Sequence, residues 1–290
     1  MGRAKVRLSL SELRSRGAVF RELHNGPGPF VIPNPWNAGT ARILAGLGFP
    51  ALATTSAGLA VALGLPDGSN LLDRDTVLAN AREIAAATPL PVSADLESGF
   101  AQNPEGVAET IRAAAEAGLV GGSVEDATGL PGDPVRPLAE AVDRVTAAVE
   151  AARALPFPFT LTARAENFLY GRPDLDDTIR RLQAYEEAGA DVLYAPGLPS
   201  AEAVRTVCAS VGRPVNVLAG GPQPALDVSA LADCGVRRIS LGSTLSRAAL
   251  GGFVRAAREV LDHGTFEFAA QAPPYGDVNR WMTGTGEAQG

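Results

Sequence analysis

The sequence predicts an α/β protein of the (β/α)8 barrel type. Eight short apolar runs alternate with eight helical patterns, the order expected when each strand is followed by a helix around a parallel sheet. A helix-to-strand turn also recurs, as Glu116-Ala117-Gly118, Glu187-Ala188-Gly189 and Asp233-Cys234-Gly235. No GxGxxG follows the first run, so an open dinucleotide-binding sheet is not favoured. The expectation is one domain over 1–290, with the barrel at about 28–263 and a tail at 264–290.

Residues 9–24 suit an amphipathic helix capped by Ser9 or Ser11, with Leu13, Val19, Phe20 and Leu23 as its apolar stripe. Gly26, Pro27, Gly28 and Pro29 stop it. The predicted strands are Phe30–Pro33, Ala51–Thr55, Val92–Asp95, Gly121–Glu125, Phe159–Arg164, Val192–Tyr194, Val215–Leu218 and Ile239–Leu241. Helices are expected near 38–48, 73–87, 104–117, 136–154, 175–188, 200–210, 225–234 and 244–262. Asp73 and Asn103-Pro104-Glu105 open two of them, while Gly118, Gly189 and Gly235 close three.

Hydrophobic residues make up 46% of the chain and charged residues 20%, enough for a substantial core. The net charge of −7 and the lack of a long basic run speak against nucleic acid or an anionic membrane as partner. No segment is apolar enough to span a bilayer and the start has no signal-peptide core, so a cytoplasmic protein is expected. Cys208 and Cys234 lack CxxC spacing and read as small core residues, not as zinc ligands or nucleophiles. His24 and His263 sit near helix ends and read as surface or capping residues.

Barrel strands offer their last residues to one mouth, where ligands bind. Here the tips carry Asn34 and Trp36, then Thr55, Ser56 and Gly58, then Asp95 and Glu97, then Glu125 and Asp126. Arg164, Glu166 and Asn167 follow, with Tyr194, Asn216 and Gly242-Ser243. Several carboxylates around one tip arginine suit a divalent cation that binds an anionic oxygen ligand, with the guanidinium clamping a carboxylate. Plainer roles exist for each residue. Asp95 could cap the next helix, Glu97 could be solvated, Glu125-Asp126 could be a capping pair, and Arg164 could neutralise Glu166.

Five stretches in order, Thr55-Ser56-Ala57-Gly58-Leu59, Gly64-Leu65-Pro66-Asp67, Ser93-Ala94-Asp95-Leu96-Glu97-Ser98-Gly99, Val124-Glu125-Asp126 and Thr162-Ala163-Arg164, resemble the isocitrate lyase/phosphoenolpyruvate mutase superfamily. The resemblance implies a barrel whose last helix is exchanged between subunits of a homodimer or homotetramer. It also implies a Mg²⁺ site (Mn²⁺ as the substitute) for small 2-oxo or 2-hydroxy acids. Asp95 would be the direct ligand, and Glu97, Asp67 and Glu125 would hold the metal's waters, with Glu97 where an aspartate is usual. The backbone of Ser56, Ala57 and Gly58 would hold the substrate carboxylate, Arg164 would bind its oxygen end, and Asn216 belongs to the same substrate set.

Lyases of the superfamily carry a Lys-Lys-Cys-Gly-His loop after the Glu-Asp strand. The corresponding segment here, 127–136, has no lysine, cysteine or histidine, and also lacks the asparagine and lysine of a phosphonate mutase. The remaining chemistry is C–C cleavage or decarboxylation of an oxaloacetate-like 2-oxo dicarboxylate through a stabilised enolate. Arg164, Glu125 and Tyr194 are the catalytic candidates, with water or Tyr194 reprotonating the product. The rival readings are a 2-oxo-acid binding protein without turnover, and a C–C hydrolase using Thr128.

Overall fold

The computed structural model describes residues 7–68, 71–130, 132–220 and 226–283. Helix α1 (Leu10–Asn25) comes first, with a capping box in which Ser9 and Glu12 satisfy each other's backbone N–H. The strands are β1 (Phe30–Ile32), β2 (Leu52–Ala53), β3 (Val92–Asp95), β4 (Gly121–Glu125), β5 (Thr160–Arg164), β6 (Val192–Tyr194), β7 (Val215–Leu218) and β8 (Arg238–Ser240). All neighbours pair in parallel, in the order β1-β8-β7-β6-β5-β4-β3-β2. A hydrogen bond from Ala53 N to Pro33 O, 3.1 Å, bridges the remaining gap between β1 and β2. The ring is nearly closed, as the alternation predicts.

Helices α2 (Ala38–Gly46), α3 (Ser56–Ala62), α4 (Arg74–Ala87), α5 (Pro104–Glu116), α6 (Leu138–Arg153), α7 (Leu175–Glu187), α8 (Ala201–Ser210) and α9 (Val228–Asp233) follow the strands. Asp73 and Asn103 cap α4 and α5 as expected. Gly118, Gly189 and Gly235 turn into the next strand with φ of 93°, 99° and 91°, the left-handed conformation that only glycine adopts cheaply. The expected helix at 225–234 begins at Val228, and its residue 225 lies outside the described residues, as do Pro131 and 284–290. The short helix α3 was not expected; β2 ends at Ala53, short of the predicted Ala51–Thr55, and Thr55 is the N-cap of α3.

Two expectations about α1 are corrected. Val19 is about half exposed, and the buried stripe is Leu13, Gly17, Phe20 and His24. This stripe plugs the strand-start end of the barrel. Gly17 is required there, because a Cβ would stand 2.3 Å from Pro158 O. His24 is buried, not a surface residue: its ring packs edge-on against Phe20 and Phe30 at 4.8 and 5.0 Å. Its Nδ1 lies 2.8 Å from Phe20 O, a carbonyl that can only accept, so Nδ1 carries the proton and Nε2, 3.4 Å from Arg238 Nη1, accepts.

Burial and the neighbouring Arg238 charge push the His24 pKa from 6.5 down to about 3. The unfolded chain therefore binds a proton below pH 6.5 that the folded chain refuses, and stability falls as pH drops through that window. Between pH 7 and 5 this group alone should cost about 2 kcal/mol. Thermal unfolding of His24→Gln should show a flatter acid limb than the parent; equal slopes would remove His24 from the account.

The long helix α10 (Thr244–His263) is the one that the resemblance expects to be exchanged between subunits. Ser246 alone among its residues is buried, and Phe253 and Leu261 are largely exposed. The described tail beyond it forms a 3-10 turn at Glu267–Gln271 and a helix α11 (Tyr275–Thr283). The latter returns to α2, where Arg42 donates to Met282 O. No helix of the described residues is long and apolar enough to cross a membrane.

Candidate active site

The strand tips converge on Arg164, the last residue of β5. Its Nη1 lies 3.0 Å from Asp95, its Nη2 3.2 Å from Glu125 and its Nε 2.7 Å from Glu166. The guanidinium also lies over the Tyr194 ring, 5.0 Å from the centroid. One cation thus holds three carboxylates from β3, β4 and the β5 loop. The parallel register explains part of the grouping: Glu125 stands beside Arg164 in the β4–β5 pairing, and Asp95 is the last residue of the neighbouring β3.

Asp95 is held from two sides. Its Oδ2 accepts from the Ser56 hydroxyl at 2.8 Å and the Ser56 N–H at 3.3 Å, and its Oδ1 accepts from Arg164 and from Glu97 N. It does not cap the next helix, whose cap is Asn103. The turn beyond it is strained, for Glu97 and Phe100 adopt φ of 46° and 52° without being glycine.

Burial pushes the Glu125 and Glu166 carboxyls above their ordinary range, against the pull of Arg164. Burial, with the charges of Asp95 and Asp67, raises Glu97 to about 7. Tyr194 is pushed up to about 12 by burial, so its phenol keeps its proton at neutral pH. Among the described residues the carboxylates of Glu97 and Asp67 make no hydrogen bond or ion pair. No three His, Cys, Asp or Glu side chains in the described residues converge as direct ligands of one ion. An all-oxygen donor set, with Asp95 at its centre and partnerless carboxylates beside it, fits a hard dication that binds one carboxylate directly and keeps its waters.

Two cavities meet at this cluster. The outer one, about 380 Å³, is lined by Ser56, Asp67, Asp95, Glu97, Glu125 and Arg164 together with an apolar rim. The inner one, about 70 Å³, shares Asp95 and Arg164 and adds Tyr194, Asn216, Arg238 and Ser240. A larger cavity of about 630 Å³ opens at the opposite end of the barrel, around His24 and Arg213, away from every strand tip.

Several predicted tip residues are placed elsewhere. Asp126 points away from the mouth toward α7 and accepts from Glu166 N, Arg181 Nη1 and the Tyr185 hydroxyl at 2.8, 3.0 and 2.7 Å. It is neither a helix cap nor part of the cavity. Asn167 likewise turns to Asp177, and Asn34 joins the tips of β1, β2 and β8 through Thr54 O, Leu241 N and Gly242 N. Asn216 lies deeper, its amide engaged with Arg238 Nε and the Ser240 hydroxyl. Ser56 lines the outer cavity. Gly58 donates its N–H to Thr55 Oγ1, and a Cβ there would stand 2.6 Å from Thr55 Cγ2. Ala57 N, in the first turn of α3, has no partner within the helix.

The segment after β4 forms a small hairpin, closed by a bridge between Ala127 and Val135. Thr128 is tied into it, its hydroxyl donating to Asp133 O and accepting from Leu130 N at 2.9 Å. The pairing of Arg164 with Glu166 that the sequence offered is present, whereas sequence reasoning missed the rim residues Leu71, Leu130, Leu169 and Tyr170.

Comparison with known proteins gives the same direction. The family model described as phosphoenolpyruvate phosphomutase matches residues 20–261. The crystal structure of a candidate lyase or mutase from Burkholderia cenocepacia J2315 superposes with a TM-score of 0.91 at 56% identity, covering 93% of this chain and 96% of that one. The 2-methylisocitrate lyase of Escherichia coli (strain K12) is 32% identical over 73% of both chains. The oxaloacetate decarboxylase of Bradyrhizobium diazoefficiens is 33% identical over 72% of this chain and 73% of its own.

Proposed function

The chain belongs to the phosphoenolpyruvate phosphomutase family, within the isocitrate lyase/phosphoenolpyruvate mutase superfamily, and from that premise we propose a Mg²⁺-dependent carbon–carbon lyase of small 2-oxo acids. Decarboxylation of an oxaloacetate-like substrate is the reaction. The observation that carries this reading is Arg164 at the centre of Asp95, Glu125 and Glu166, with the partnerless carboxylates of Glu97 and Asp67 on the same cavity wall.

Asp95 would hold the cation directly, and Glu97, Asp67 and Glu125 would hold its waters. Bound there, Mg²⁺ (or Mn²⁺) supplies Lewis-acid stabilisation of negative charge on the substrate's 2-oxo oxygen. The chain's own residues do the rest. Arg164 turns part of its guanidinium from its carboxylates to the substrate oxygen, where charge develops as the bond to the departing carboxylate breaks. The Ser56–Gly58 turn, with the open Ala57 N–H, receives the substrate carboxylate. Carbon dioxide leaves without a proton donor, which suits a 127–136 segment with no lysine, cysteine or histidine. The electron pair left on carbon is then protonated by water or by the Tyr194 phenol.

Purified protein with Mg²⁺ and oxaloacetate should form pyruvate faster than Mg²⁺ alone, with chelator abolishing the excess. Binding of oxaloacetate without any product would leave only a binding protein, and oxalate with acetate as products would make it a hydrolase. The exposed face of α10 supports assembly into a homodimer or homotetramer through that helix. Native mass spectrometry should show the oligomer for the parent and a monomer for a Phe253→Asp/Leu261→Asp double variant; a monomeric parent would end the proposal.

A further inference from the structure

We infer that the preferred substrate carries an uncharged alkyl group of several carbons at its far end, an assignment that rests on the 2-oxo-acid reading of this site. The outer cavity has two different halves. Its floor presents Asp67, Asp95, Glu97, Glu125 and Glu166 against one cation, Arg164, the sole lysine or arginine among the described residues lining it. Arg164 is itself already paired with Asp95, Glu125 and Glu166, so among the described residues the floor offers no second side-chain cation to a far carboxylate. Its rim is apolar: Leu71, Leu130, Leu169 and Tyr170 each stand 40% or more exposed. Large apolar side chains gathered in the open around one cavity mark a surface that a ligand covers.

The consequence concerns charge. A carboxylate that departs as neutral carbon dioxide needs no permanent cation. A carboxylate retained at the far end of the substrate does need one, and none is offered. Arg238 borders the inner cavity and already donates to Asn216, Thr162 and His24, while Arg181 and Arg144 reach the strand-tip loops outside the outer cavity and donate to Asp126 and Asp177 and to the Ser98 and Ala101 carbonyls. A head group seated against Arg164 therefore sends the remaining chain outward, between the leucines. Oxaloacetate is then the smallest member of the substrate class, and its 3-alkyl derivatives are the better ones.

Calorimetry in Mg²⁺ with 2-oxohexanoate and 2-oxoadipate, which differ only in a terminal methyl or carboxylate, tests the point. The alkyl acid should bind at least about tenfold more tightly, and lengthening from 2-oxobutanoate to 2-oxohexanoate should tighten binding about fourfold per methylene, the equivalent of about 0.8 kcal/mol per buried CH₂. Leu169→Arg, on the rim and outside the carboxylate cluster, should reverse the preference toward 2-oxoadipate. Equal or tighter binding of 2-oxoadipate by the parent overturns the inference, even if oxaloacetate is decarboxylated as proposed. The expected binding order with no turnover of any 3-alkyl oxaloacetate would instead sustain the inference and remove the lyase.

Discussion

Asp95→Asn should lower Mg²⁺-dependent kcat/KM by at least about 10²–10³-fold while leaving the barrel folded. The amide is isosteric with the carboxylate but neutral, and it cannot accept from both sides. With its oxygen kept toward Arg164, its NH₂ faces the Ser56 N–H, a donor against a donor. Folding should survive, because the substitution also removes one of the charges crowding Glu97 and Glu125. The direct readout is metal. Mg²⁺ at one hundred times its Kd stabilises the state that binds it by about 2.7 kcal/mol. That corresponds to a Tm rise of several degrees for the parent and none for the variant. A parent-like metal response in Asp95→Asn would remove the residue, and with it the cation site, from the mechanism.

The strand order and the positions of most helices were legible because a parallel barrel buries its strands completely. Runs such as Val92–Ala94 are apolar or small throughout, and the glycines closing the helices have no substitute at φ near 90°. What escaped was direction. Neighbouring residues of an extended segment face opposite ways, so Asp126 turns to Arg181 and Tyr185 while Glu125 faces Arg164; the pairing of Arg164 with Glu166 was readable from their closeness in sequence. His24 was legible as well, lying on the Leu13, Gly17, Phe20 stripe, but a histidine is normally placed at the surface. Here Arg238, buried on β8, gives it an N–H donor. The helix α3 was hidden by its brevity and by the stronger capping signal of Asp73 further on. The exposed face of α10 is amphipathic in the sequence, but the pattern alone does not say what covers it.

Arg164→Met should be the most destabilising single change in the mouth, at about 3–5 kcal/mol. The thioether is apolar, so Asp95, Glu125 and Glu166 would lose a shared cation in a place where the last two are buried from water. Attraction in a buried ion cluster roughly offsets the cost of desolvating its members, so removing one partner exposes that cost in full. For a chain of this size the loss corresponds to a Tm fall of roughly 5–8 °C. Activity should fall about 10³-fold as well, because the same guanidinium faces the charge that develops in the reaction. Arg164→Lys separates the two roles. An ammonium restores the charge and much of the stability, but it cannot reach three carboxylates and a substrate oxygen in one plane, so activity stays low. A second substitution isolates the cause. Adding Glu166→Gln to Arg164→Met removes a carboxylate that the arginine no longer holds, and the double variant should be more stable than Arg164→Met alone. If the two losses simply add, or if Arg164→Met melts with the parent, the arginine is not what holds these strand tips together.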